Sequence, residues 1–216
     1  MKKATIVLAD DQPMFRLGLR RAINIESQFE IIGEADDGVS ALELIAWLKP
    51  QIAVMDWRIP RLSGPEIVRR LNAHKLETRT VMLSRHVEKD PFNEAFDAGV
   101  NGYVLKGSRT SELLQCLESV LAGDLYLSPQ LWQMLAIRVR NTTRLREEKP
   151  GLEELTVMQR AVLRRISNRK PSSTIATELG VSRSTIDLHR RNLMRKLELE
   201  GRYALVQFAL RHKYEF

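Results

Sequence analysis

Five short apolar runs punctuate the first 122 residues, and helix-period segments fill the gaps between them. The runs are ATIVLA (4–9), EIIGEA (30–35), QIAVM (51–55), TVMLS (80–84) and NGYVLK (101–106). They are rich in β-branched residues and nearly continuous in apolar character, as strands buried on both faces require. The segments between them, near 13–25, 38–48, 64–73, 88–98 and 110–122, carry apolar residues at helical spacing. This alternation predicts an α/β unit, a parallel sheet wrapped by helices.

After LAGD (121–124) the pattern changes. Residues 128–146 read as one helix, with Ser128 as its cap and Pro129 in its first turn. EEKPG (147–151) breaks it. Four helices follow, near 153–167, 172–179, 182–197 and 202–213. The expected division is therefore a domain at 1–122, a linker with a helix at 123–150 and an all-α domain at 151–216. Charge follows the same division. Residues 1–122 hold 16 Lys/Arg against 17 Asp/Glu, whereas residues 123–216 hold 18 against 10. A basic domain beside a neutral one points to a polyanionic partner for the second. The single cysteine, Cys116, excludes a disulfide framework and a cysteine zinc site. No apolar stretch approaches the ~20 residues that span a bilayer. The start, MKKATIVLADD, lacks the apolar core and cleavage site of a signal peptide. A cytoplasmic protein with no membrane partner is expected.

The ends of the strands carry the chemistry. The first is followed by Asp10 and Asp11, the third ends at Asp56, the fourth at Ser84 and the fifth at Lys106. Open α/β sheets bind ligands outside the carboxyl ends of their strands, at the point where strand order reverses. In a flavodoxin-like order 2-1-3-4-5, these five residues converge. Taken singly, each has a plainer reading: a strand-end Asp caps a turn, and a lysine is solvated. Together, three carboxylates repel one another unless a cation lies between them. Oxygen ligands without His or Cys suit Mg²⁺. Asp56 can attack phosphorus and form an aspartyl-phosphate. Lys106 can hold a phosphoryl oxygen, Ser84 can donate to another, and the backbone carbonyl of Arg58 can complete the metal shell. Asp36 and Asp37 end an edge strand away from this point and read as solvated.

LADDQPMFRLGL, VMDWRIPRLSG, MLS and GYVLKG together resemble the receiver domain of two-component response regulators, over about residues 4–122. The resemblance implies Asp56 as phosphoacceptor, with Asp10, Asp11 and the Arg58 carbonyl around Mg²⁺. It also implies Ser84 and Tyr103 as a switch pair: the hydroxyl turns to the phosphate and the aromatic ring turns inward. Three positions depart from the pattern. Arg85 follows Ser84 where receivers usually carry a small residue, Trp57 replaces an aliphatic residue, and Gly107 stands where many receivers have proline.

In the basic half, IATELGVSRSTI (175–186) reads as a helix, a glycine stop at Gly180, a turn and a new helix capped by Ser182. At 100° per residue, Ile186, His189, Arg190, Leu193 and Leu197 fall on one side of that helix. Ser184, Asp187, Leu188, Arg191 and Arg195 fall on the other, which can enter a major groove. His189 reads as structural. From about Leu155 to Leu210 the chain resembles the helix-turn-helix domain of the NarL/FixJ class, also called LuxR-type. The resemblance implies base contacts from Asp187, Leu188 and Arg191, and phosphate contacts from Ser182, Arg183, Thr185 and Arg195. It also implies a dimer contact on RYALVQFAL (202–210). Asp187 departs from the family's usual non-acidic residue; it can accept from cytosine N4 but repels phosphate.

The reading is a DNA-binding response regulator and not an enzyme. A histidine kinase phosphorylates Asp56, and this controls homodimerisation and binding to double-stranded DNA, with RNA polymerase a candidate partner. Two competitors remain. One is a DNA-binding regulator whose receiver is not controlled by phosphate. The other is a Mg²⁺-dependent phosphohydrolase, disfavoured because Arg58 holds the place where such enzymes carry a general-acid Asp.

Overall fold

The computed structural model describes residues 3–85, 88–201 and 203–216. The chain divides into two compact units, Met1–Met134 and Leu135–Phe216.

In the first unit, strands and helices alternate as expected. They are β1 (Ala4–Ala9), α1 (Pro13–Asn24), β2 (Phe29–Ala35), α2 (Gly38–Leu48), β3 (Ile52–Asp56), α3 (Gly64–Ala73), β4 (Arg79–Ser84), α4 (Lys89–Ala98), β5 (Gly102–Leu105) and α5 (Thr110–Ala122). The sheet is parallel, in the order β2-β1-β3-β4-β5 with a short sixth strand, β6 (Tyr126–Leu127), added beside β5. Because strand side chains alternate between faces, two cores form. On one face, Ile6, Leu8, Ile52, Val54, Val81, Leu83 and Val104 pack with Leu19 and Ile23 of α1 and Leu113, Cys116, Leu117 and Val120 of α5. Val7, Ala53, Met55 and Met82 are buried at the alternate positions.

Asp37 is not a solvated acid. Its carboxylate accepts from the Val39 and Ser40 N–H groups at 2.8 and 3.1 Å and so caps α2. It also pairs with Arg61 at 3.2 Å. Asp36 is exposed.

The segment after α5 begins as part of the sheet: Gly102 pairs with Tyr126, and Tyr103 with Leu127. A 3₁₀ turn, Pro129–Leu131, separates β6 from α6 (Trp132–Glu148). Ser128 therefore caps no helix. It is fully buried, its N–H donates to the Tyr103 carbonyl at 2.9 Å, and its hydroxyl accepts from the Leu105 N–H at 3.1 Å and meets the Glu112 carboxylate.

The second unit is helical. α6 runs into it and ends before a 3₁₀ turn, Pro150–Leu152; α7 (Val157–Ser167), α8 (Ser172–Leu179), α9 (Arg183–Lys196) and α10 (Ala204–Arg211) follow. α7 starts later than expected because Thr156 and Gln159 form a capping box there. α8 ends on Gly180 in the left-handed conformation, and the Ser182 hydroxyl accepts from the Thr185 N–H at 3.1 Å at the start of α9. Leu163, Ile166, Ile175, Ile186, Leu193 and Leu197 fill the core. Leu205, Phe208 and Ala209 of α10 belong to this core, and Phe208 stacks on Phe216 at 6.2 Å. Tyr203 and Leu210 stay exposed. Residue 202, expected to open this helix, lies outside the described residues.

Candidate functional site: an acidic pocket and a basic helix

Four strand ends meet at one edge of the sheet. Asp10 follows β1, Asp56 closes β3, Ser84 closes β4 and Lys106 follows β5. Register fixes their height: Ala9 lies opposite Met55, Asp56 opposite Leu83, and Ser84 opposite Leu105. The β3–α3 loop is held tightly. Gly38 donates its N–H to the Pro60 carbonyl at 2.9 Å, and a Cβ there would lie 1.9 Å from the Leu62 carbonyl oxygen. Gly64 brings the start of α3 against β3 so closely that a Cβ would lie 2.7 Å from the Asp56 carbonyl oxygen. Only glycine allows either approach.

Asp10, Asp11 and Asp56 each offer a carboxylate oxygen within 4.8 Å of the others. Asp10 and Asp56 are buried and Asp11 is exposed. Lys106, its side chain only 5% exposed, places Nζ 2.7 Å from Asp56 Oδ2, to which it donates, and equally close to Asp10 Oδ2. The second contact is an ion pair without hydrogen-bond geometry, so Asp10 Oδ2 accepts no hydrogen bond. Asp10 Oδ1 accepts from the Gln12 N–H at 2.9 Å, and Asp56 Oδ1 from the Arg58 N–H at 3.3 Å. The Phe15 ring lies 4.6 Å from Nζ, a cation–π contact. One buried cation thus serves two carboxylates.

Ser84 is buried at the end of β4. Tyr103 points inward, 1% exposed, with its ring edge-on to Phe92 at 5.9 Å. Burial pushes its phenol up to about 12, opposed by the neighbouring Ser84 hydroxyl and reinforced by the Asp56 charge. Arg58 follows in the loop, its guanidinium 5.6 Å from the Trp57 ring centre. Arg85 Nη2 donates to Gln12 Oε1. Sequence reasoning missed Gln12 and Phe15, because nothing in their local pattern marks them as neighbours of Lys106 and Arg85.

The second constellation lies on α9. Ile186, Leu193 and Leu197 are fully buried, and His189 is half-buried with Nδ1 inside and unbonded. On the other side Ser182, Arg183, Ser184, Leu188, Arg191 and Arg195 are exposed, with Thr185 and Asp187 half-buried. Leu188 is 48% exposed on this face. The Ser182 hydroxyl touches those of Ser184 and Thr185 at 2.7 and 2.8 Å, so all three cluster at the positive end of the helix. Asp187 Oδ2 sits 3.9 Å from Arg183 Nε, a loose pair on the exposed surface.

Residues 6–118 match the family model of the response regulator receiver domain, and residues 153–209 that of the bacterial regulatory proteins of the luxR family. A probable transcriptional regulatory protein NarL of Mycobacterium tuberculosis is 32% identical over 98% of this chain and 96% of its own. The nitrate/nitrite response regulator protein NarL of Escherichia coli is 31% identical over 92% and 91%. The crystal structure of a LuxR-family two-component response regulator from Aurantimonas sp. SI85-9A1 superposes with a TM-score of 0.60, at 35% identity over 62% of this chain and 96% of that one. An acidic pocket at four strand ends, a basic helix-turn-helix and relatives alike over nearly the whole length lead to one assignment: the chain belongs to the two-component DNA-binding response regulators that join a receiver domain to a LuxR-type domain.

Proposed function

We propose that Asp56 takes a phosphoryl group from a histidine kinase and that this state of the receiver controls dimerisation and operator binding. The observation that carries the reading is the buried Lys106 ammonium, 2.7 Å from both Asp56 and Asp10. Among neighbouring carboxylates, Asp56 has one oxygen held by the lysine and the other by the Arg58 N–H. Its carboxylate oxygen forms the bond to phosphorus while the phosphorus–nitrogen bond of the donor histidine breaks, and the electron pair leaves with the imidazole. Lys106 then holds a phosphoryl oxygen and Ser84 donates to another. The inward Tyr103 fits the switched arrangement of that pair.

The three acidic side chains suit a small hard cation, since they crowd their oxygens within 4.8 Å and leave buried Asp10 Oδ2 without a hydrogen bond. Asp10, Asp11, Asp56 and the Arg58 carbonyl are proposed to hold Mg²⁺, whose charge would offset that gathering on the phosphoryl oxygens. On α9, Asp187, Leu188 and Arg191 are proposed to meet base edges. Ser182, Arg183, Ser184, Thr185 and Arg195 are proposed to meet the DNA backbone. Residues 1–122, 123–150 and 151–216 serve as receiver, linker and DNA-binding domain. A regulator of this kind turns over no substrate, works in the cytoplasm and meets RNA polymerase at its promoters. No helix among the described residues is long and apolar enough to cross a membrane.

The test compares wild type with Asp56→Asn, each with and without beryllofluoride and Mg²⁺. Light scattering gives the mass, and a DNA duplex selected from a randomised pool gives the affinity. Dimerisation and tighter binding in wild type alone support the reading. Equal binding by both proteins, indifferent to beryllofluoride, sinks it in favour of a receiver that phosphate does not control.

A further inference from the structure

The contact between Arg85 and Gln12 has a consequence that follows from strand order. Arg85 is the first residue after β4, and Gln12 lies just beyond β1. In the sheet, β3 separates β1 from β4. Adjacent strands lie about 4.8 Å apart, so the ends of β1 and β4 are about 10 Å apart with the end of β3 between them. A hydrogen bond from Arg85 Nη2 to Gln12 Oε1 therefore crosses the end of β3, and the end of β3 is Asp56. Lys106 is buried against the Asp10 and Asp56 carboxylates, whereas Arg85 is exposed. The strap thus runs over the solvent side of the pocket. At the other end the Gln12 backbone N–H is bonded to Asp10 Oδ1 at 2.9 Å, which holds that residue's backbone beside the pocket.

The present partner of Arg85 is a neutral amide. A phosphoryl group on Asp56 would bring two negative charges and three acceptor oxygens to the place the strap crosses. Arginine's planar fork matches phosphate oxygens bidentately, and such charge-assisted bonds are about twice as strong as neutral ones. Among the described residues, the pocket sets three carboxylates against one buried lysine.

We propose that Arg85 is a second phosphoryl-binding cation of this receiver: it straps the empty pocket through Gln12 and exchanges that amide for the phosphoryl oxygens once Asp56 is modified. In that position it guards the open side of phosphorus. Hydrolysis forms a bond from a water oxygen to phosphorus and breaks the bond from phosphorus to the Asp56 oxygen, which regains its electron pair, while the water's protons leave with phosphate. A guanidinium on the solvent side hinders the approach of that water, so this residue sets the lifetime of the signal. The inference rests on Asp56 being the acceptor.

The experiment labels the full chain with radioactive acetyl phosphate and Mg²⁺, removes the donor, and follows loss of label from wild type, Arg85→Ala, Arg85→Lys and Asp56→Asn. Arg85 is exposed, so its variants retain the fold. The expected result is decay about tenfold faster in Arg85→Ala, a barrier lower by about 1.4 kcal/mol, with Arg85→Lys between the two. Identical decay of wild type and Arg85→Ala overturns the inference and leaves the acceptor reading standing. Absence of label from wild type, or equal label in Asp56→Asn, removes the acceptor reading and the inference with it.

Discussion

Asp37 shows how much one carboxylate can do at the surface of this fold. The Ser40 and Val39 N–H groups, the Ser40 hydroxyl and the Arg61 charge together pull its pKa from 3.8 to about 2, the Ser40 N–H most strongly. A depressed carboxylate stabilises the folded state above its unfolded pKa and loses that contribution as pH falls through its folded value. Asp37→Asn keeps a cap acceptor but no charge. Denaturant titrations should therefore show wild type more stable at neutral pH, with the difference closing as pH drops from about 4 to about 2. A pH-independent difference would mean that packing, not charge, carries the effect. Lys106 is the opposite kind of residue. It is buried at a cost that only paired carboxylates offset, which is why the lysine and the acids at the strand ends must be read as one unit.

At the scale of elements, the notable join is between β5 and the chain that leaves the sheet. β5 carries Tyr103 and precedes Lys106, and Ser128 binds this strand at two points, the Tyr103 carbonyl and the Leu105 N–H. The route from the acidic pocket to α6 thus begins on the strand that holds the proposed switch residue. Ser128→Ala removes the acceptor for a buried N–H and the hydroxyl partner of Glu112. A loss of about 1–3 kcal/mol in unfolding free energy is expected, the cost of a buried polar group left unpaired. Calorimetry would register it, and an unchanged transition would show that water replaces the hydroxyl.

For the whole molecule, the separation of charge is the organising fact: a nearly neutral N-terminal half and a C-terminal half with an excess of Lys and Arg. Affinity for DNA should fall steeply with salt, because each neutralised phosphate releases counterions. Arg195→Ala, at a proposed backbone contact, is expected to weaken binding to all sequences and lower the magnitude of the slope of log K against log salt by about 1. Arg191→Ala, at a proposed base contact, is expected to relax preference at one position instead. Fluorescence anisotropy across a salt series separates the two, and an unchanged slope in Arg195→Ala would move the interface elsewhere on the domain.

The sequence by itself determined the elements and their order. Hydrophobic period and turn residues are local, so α2, α3, α5 and α8 fall on the residues their patterns predict, and the Ser182 cap was legible from its neighbours. The convergence of Asp10, Asp56, Ser84 and Lys106 was also legible, because strand order in a parallel sheet brings particular strand ends together whatever the loops contain. Tertiary structure alone decided what depends on distant partners. Ser128 carries every local mark of a helix cap, yet a two-residue strand beside β5 draws it into the interior. Asp37 looked solvated until α2 supplied its N–H groups and the β3–α3 loop supplied Arg61. The strap between Arg85 and Gln12 joins residues 73 apart in sequence. No local pattern encodes such a pair, because only the assembled sheet sets β1 and β4 on either side of Asp56.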